Sequence, residues 1–427
     1  MSRIHIRGGH LIDPAHRRNG PGDVFVAEGR ILALDTPPAE FTSDETIDAS
    51  GQIVAPGLVD AAVRLREPGA TRKGGIVPEA RAAAAAGITT LLQQPDTTPI
   101  IDTPSVVELI HSRAAAADAA RVRPIGALTH GLGGEYLAEM AALRDAGCPA
   151  VGDGGRPVAN SLVLRRALDY AATFSLPVVI TPEDVALAES GRVHEGEVAT
   201  RLGLPGQPAA TETTALARLL ALVEELGTPA HIARLSTARG AEMVAQAQDR
   251  GLPITADVAI HQLFFTEHDC AAYNTAAHVR PPLRTQADRD ALRQAVAEGV
   301  IGTICSDHQP HDPDAKACPF ADSEPGLSGV DTLLPLVLRL VDEGLLELGE
   351  AIHRVTHGPA QAFGLAAGTL TPGATADITI IDPRTVWRVT PESLRSRGRN
   401  SLFIGWELTG SANTTLVGGR TVHSPAL

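Results

Sequence analysis

A small set of side chains in this chain could do chemistry, and they fall at or just past the ends of short apolar runs. Arg64 and Arg66 follow LVDAAV, Asp96 follows ITTLLQQP, and Asp153 follows PAVG. Thr181 and Glu183 follow PVVI, His231 and Arg234 lie in HIARLST, and His261 ends TADVAIH. Asp307, His308 and His311 lie in SDHQPH. Carboxylates and imidazoles in such places can move protons or hold a divalent cation. A guanidinium can bind a carboxylate bidentately, which is the role open to Arg66. It stays protonated, offers no lone pair and repels a cation, so Arg64 and Arg234 are not metal ligands. Four histidines at strand ends (His231, His261, His308, His311) invite a metal reading. The alternative is that they are structural or pocket residues. The acids Asp96, Asp153 and Asp307 are natural partners for Arg64, Arg234 or Arg280 in an internal ion-pair network.

The elements that would position these residues alternate along the middle of the chain. Short, apolar, mostly β-branched runs at 57–65, 87–94, 122–129, 149–153, 176–181, 229–235, 253–259 and 301–306 read as strands. Helical stretches follow them, including 78–86, 161–174, 211–226, 236–251 and 286–299. The alanine runs at 82–86 and 114–117 read as helix, because alanine is the best helix former. Eight βα units in sequence predict a (β/α)8 barrel over residues 56–366, with its chemistry where strands end and loops begin. The two chain ends are strand-rich and punctuated by glycine. They predict one small β-sandwich domain built jointly from residues 1–55 and 367–427.

The ordered motifs carry a resemblance. PGLVDAAVRLREPG (56–69), QPDTTPIIDTP (94–104), GDGGRPVANS (152–161), PEDVALAESG (182–191), VRPPLR (279–284), SDHQPH (306–311), GTLTPGATADITIIDP (368–383) and RGRNSLFIGWELTG (397–410) resemble bacterial dihydroorotase. That family is related to allantoinases and hydantoinases within the amidohydrolase superfamily, and the similarity runs from about residue 4 to the end. The resemblance implies a metal site at the strand ends, with a carboxylate base acting on a metal-bound water. In this chain the implied histidine positions are Ala62, Arg64, Thr181 and Arg234, and one of two paired aspartates survives as Asp153. The base survives as Asp307. On the substrate side Arg66 and His311 remain, while two family asparagines are Asp96 and Arg280. Each fixed positive charge beside a cation costs about 4 kcal/mol at 4 Å and an effective dielectric constant near 20. The expected metal and cofactor content is therefore none, and the expected catalytic set is empty. Segment 312–329 resembles the loop that closes over substrate in the family. It also reads as an ordinary surface loop or a contact surface.

The formal net charge of −14 argues against nucleic-acid binding. The four cysteines are far apart with no CxxC, which suits free thiols in a reducing compartment. No leader-like segment or long apolar span is found, so the expectation is a cytoplasmic protein with no membrane contact. The resemblance implies a non-catalytic dihydroorotase homologue in pyrimidine biosynthesis. Its implied partner is the aspartate carbamoyltransferase catalytic chain, and it is expected to form a homo-oligomer. The alternatives are a cyclic amidohydrolase with an atypical zinc site, and a metabolite binder using Arg66 and His311.

Overall fold

All eight apolar runs become parallel strand segments in the computed structural model, which describes residues 3–425. Leu58–Val63, Ile88–Gln93 and Arg121–Pro124 form one parallel sheet. Gly126–Ala127, Val151–Gly152, Val178–Ile180, Ala230–Ile232, Ile254–Ala259 and Thr303–Cys305 form a second, in that order. The sheets meet at both edges. Ile125 N–H donates to the Gln93 carbonyl at 2.9 Å, and Arg64 N–H donates to the His308 carbonyl at 2.8 Å. The break between the sheets falls at Pro124, which has no N–H to give to a ladder. Because every neighbour is parallel, all strand C-termini point the same way and their loops gather at one end.

The helices form where spacing and caps agree. Ser161–Thr173 buries Leu164, Ala167, Leu168 and Ala171, one stripe at helical spacing. Asn160 caps it, accepting from Leu162 N–H at 2.9 Å. Gln286–Glu298 starts with a reciprocal cap between Thr285 and Asp288 and stops at Gly299, whose φ of 84° suits a residue without Cβ. Ile76–Ala85 buries Ala80, Ala82, Ala83 and Ala84, so small side chains let this helix sit close to its neighbours. The main apolar core is a continuous cluster of Val, Ile, Leu and Ala around these strands and helices.

Both chain ends do build one β-structure, but not a sandwich of two separate sheets. Its strands run Arg420–His423, Glu407–Val417, Ile378–Arg388, Ile53–Pro56, Ile4–Asp13, Arg18–Ala27 and Arg30–Leu34 in one hydrogen-bonded path. The physical reason lies in Ile4–Asp13. Its register shifts between Ile6 and Gly9, its first half pairs with Glu45–Asp48, and its second half pairs with Ile53–Pro56. One bulged strand therefore serves two neighbours and keeps the sheet continuous. A second apolar cluster, including Ile4, Leu11, Val26, Ile378 and Leu416, lies within this sheet. Among the described residues, no helix is long and apolar enough to cross a membrane.

Candidate functional site

The strand ends deliver most of the singled-out residues to one place. Arg64, Arg66, Asp96, Thr181, Arg234 and His311 line a cavity of about 240 Å³. Three backbone positions there are unusual: Arg66, Arg234 and Asp307 have φ of 62°, 58° and 45°. Residues with a Cβ rarely adopt that region, and such strain persists only where the surroundings enforce it.

Asp307 is the centre of the cluster. Its Oδ1 accepts from Arg64 Nη1 at 3.4 Å and from Arg234 Nη1 at 3.2 Å. Its Oδ2 accepts from Gln309 Nε2 at 3.0 Å. All three charged groups are nearly sealed: 8% exposure for Arg64, 3% for Arg234 and 1% for Asp307. Arg64 also donates to Asp96 Oδ2 at 2.7 Å and to the Gly154 carbonyl at 3.1 Å. Arg234 donates to Thr181 Oγ1 at 2.7 Å, and its backbone N–H donates to Asp257 Oδ1 at 2.7 Å. Burial pushes the Asp96 carboxyl upward, but the Arg64 charge overrides it and holds the group below its ordinary value. Burial opposes the Arg234 charge too, and Asp307 and Asp257 outweigh it. The expected network thus exists for Asp96, Asp307, Arg64 and Arg234.

It does not include Asp153 or Arg280. Asp153 accepts from Gly155 N–H and Thr181 N–H, each at 2.9 Å, and burial raises its pKa. Its carboxylate therefore fixes two loops. Arg280 forks onto Glu183, with Nε 2.8 Å from Oε2. Glu183 is buried and Arg280 half exposed, so the pair closes one wall of the cavity. Glu183 was visible in PEDVALAESG, but nothing local marked its partner.

The histidines divide. His231 uses both nitrogens, facing Thr255 Oγ1 and Asp257 Oδ2 at 2.8 Å each. His308 accepts from Gly329 N–H at Nδ1, 3.2 Å away, so Nε2 carries the proton and donates to Glu79 at 3.1 Å. Both are structural, and neither has a lone pair to spare. His261 is buried with both ring nitrogens unpaired, and burial drives its pKa down to about 4. Burial and the neighbouring Arg66 lower His311 to about 4 as well. Arg66 contacts His311 and the Pro310 carbonyl. Burial, with Arg64 close by, lowers its pKa to about 10.

Zinc needs three or four nitrogen, sulfur or carboxylate donors converging on one point. Here the convergence point holds two guanidiniums, and Ala62 presents a methyl group. Among the described residues, no group of three His, Cys, Asp or Glu side chains is arranged to hold a metal ion. The residues do not fit the zinc site of an amidohydrolase.

Comparison with known proteins places this geometry. A profile described as Dihydro-orotase-like matches residues 51–240, and one described as Amidohydrolase family matches residues 326–423. A "Dihydroorotase-like protein" of Pseudomonas aeruginosa is 51% identical over 98% of this chain and 99% of its own length. The chain belongs to the dihydroorotase-like amidohydrolase family. A "Dihydroorotase-like protein" of Pseudomonas putida is 50% identical over 99% of both chains. A "Dihydroorotase" of Syntrophotalea carbinolica is 42% identical, again over 99% of both. Among solved structures, an L-hydantoinase from Arthrobacter aurescens superposes with a TM-score of 0.89 over 99% of this chain and 96% of its own, at 24% identity. That match speaks for the fold alone.

Proposed function

We propose that this chain is a catalytically silent dihydroorotase homologue on a (β/α)8 barrel. Its role is structural: a subunit that holds the aspartate carbamoyltransferase catalytic chain in an assembled complex for pyrimidine biosynthesis. The observation that carries the reading is the state of Asp307. In metal-assisted amide hydrolysis this carboxylate would take a proton from a metal-bound water. Here it is tied to Arg64 and Arg234 at 3.4 and 3.2 Å, and those side chains fill the place a metal would need. The arrangement is a filled and charge-balanced cluster, which is what a retired site requires if the fold is still needed. The full-length match to proteins named "Dihydroorotase-like" supports the same reading. The zinc-bearing alternative lacks a donor set, and the test below includes it.

The test is to express the chain alone and together with the carbamoyltransferase catalytic chain from the same genome. Dihydroorotate turnover is assayed with zinc supplied, and complex mass is measured by light scattering. The expected result is no turnover in either sample, a mixed complex of defined mass, and carbamoyltransferase activity that falls when this chain is left out. Zinc-dependent turnover, or two proteins that elute separately, would sink the proposal.

A further inference from the structure

Segment 312–329 is a built structure with a small core. Phe320 is buried and stacks on His278, with ring centroids 5.0 Å apart. His278 Nδ1 faces Ser323 Oγ at 2.8 Å, and its carbonyl accepts from Lys316 Nζ at 3.1 Å and Gly326 N–H at 2.9 Å. Asn400 Nδ2 donates to the Gly326 carbonyl at 3.1 Å. These contacts fix residues 323–326 at the mouth of the Arg-lined cavity, and the side chain presented there is Glu324.

The Glu324 carboxylate is ion-paired with Lys73, and its Oε2 lies 3.5 Å from His311 Nδ1. The His311 ring stands between Glu324 and Arg66. Arg66 Nη2 lies 3.1 Å from His311 Nε2 and can only donate. The Pro325 carbonyl lies 3.0 Å from the same nitrogen and can only accept, so Nε2 serves one of these two contacts at a time. Among the described residues Arg66 has no carboxylate as a hydrogen-bond partner, and its Nε donates to the Pro310 carbonyl at 3.1 Å. A guanidinium fork without an acid stands one imidazole away from a carboxylate carried on a loop.

We propose that Glu324 is a tethered carboxylate that occupies the anion place of this cavity and keeps small free carboxylates out. The charge balance of the lining supports it. Arg64 and Arg234 are balanced by Asp96 and Asp307, and Arg280 by Glu183, which leaves Arg66 as the unmatched guanidinium of the lining, so the cavity without Glu324 offers one positive charge to an anion. A carboxylate held on a short tether has an effective concentration of millimolar or more, which a free carboxylate must exceed. Half of the Glu324 side chain is exposed, so it can swing away without disturbing Phe320. The device does not depend on the scaffold role, since a closed anion pocket and a structural subunit are separate properties.

Isothermal titration of the full chain with malonate, a small dicarboxylate, tests it. Glu324→Gln should bind malonate at least tenfold more tightly than the unaltered protein, and Glu324→Gln/Arg66→Met should lose that gain. Lys73→Met should bind no more tightly than the unaltered protein, because it leaves Glu324 wholly to His311 and Arg66. Thermal melting of each variant shows that it is folded; neither Glu324 nor Lys73 belongs to the Phe320 core. Equal affinity before and after Glu324→Gln, no binding by either, or a gain in Lys73→Met equal to that of Glu324→Gln overturns the proposal.

Discussion

Asp307→Ala separates a structural carboxylate from a catalytic one. The carboxylate stands 3.2 Å from Arg234 and 3.4 Å from Arg64. At an effective dielectric constant near 20, each pair at that spacing carries about 5 kcal/mol of gross attraction. Most of that is offset by the desolvation of three buried charges, and Arg64 keeps Asp96 as a partner. What remains is the usual cost of removing one member of a buried charge cluster, about 3–5 kcal/mol. A chain of 427 residues unfolds with an entropy of roughly 0.9 kcal/mol/K. The melting temperature should therefore fall by about 3–6 °C if the chain unfolds as one unit. Differential scanning calorimetry reads this directly. The proposed assembly with the carbamoyltransferase should survive below the new transition. A catalytic base predicts the opposite, since such groups are commonly held at a cost to stability and their removal is neutral or stabilising. A melting temperature unchanged within about 1 °C, or raised, would refute the reasoning.

Further outcomes follow from the same cluster. Replacing it whole, as Arg64→Met/Asp96→Asn/Arg234→Met/Asp307→Leu, should cost far less than Asp307→Ala alone, because no member of the charge cluster is left without its partner; a larger loss by calorimetry would contradict this. Restoring histidine at positions 62, 64, 181 and 234 together should give no dihydroorotate turnover even with zinc. Asp96 still places a negative charge in the substrate cavity and Arg280 still locks Glu183 there, and substantial turnover would disprove that. His261, His278 and His311 each have a folded-state pKa near 4, below the ordinary 6.5, chiefly through burial. On acidification the unfolded chain takes up these protons first, so their contribution is intact above pH 6.5 and is lost toward pH 4. Asp60, raised by burial to about 6, works in the other direction over part of that window. His261→Asn should flatten the fall in melting temperature between pH 6.5 and pH 4, and an unchanged slope would count against His261 as a contributor.

What the sequence determined by itself is local and periodic. Apolar runs of strand length, alternating with stripes such as Leu164, Ala167, Leu168 and Ala171, gave the eight βα units. Cap residues such as Asn160 and Gly299 end the helices Ser161–Thr173 and Gln286–Glu298 locally. Side-chain chemistry added that alanine and arginine cannot ligate a metal in any fold, and the family resemblance implied that Ala62, Arg64 and Arg234 stand at ligand positions. Pairings between strand ends were not legible there. The choice of Glu183 rather than an aspartate for Arg280, 97 residues apart, depends on where two loops end. Asp153 turned to backbone N–H groups because its loop brings Gly155 and Thr181 nearer than any guanidinium. The single curled sheet of the two chain ends hinges on a register shift in Ile4–Asp13, which periodicity does not encode. Glu324 reached the cavity only because a loop core around Phe320 fixed it there. Local patterns are set by neighbours in the chain, whereas ion-pair partners and register are set by distances that exist only once the two parallel sheets have come together.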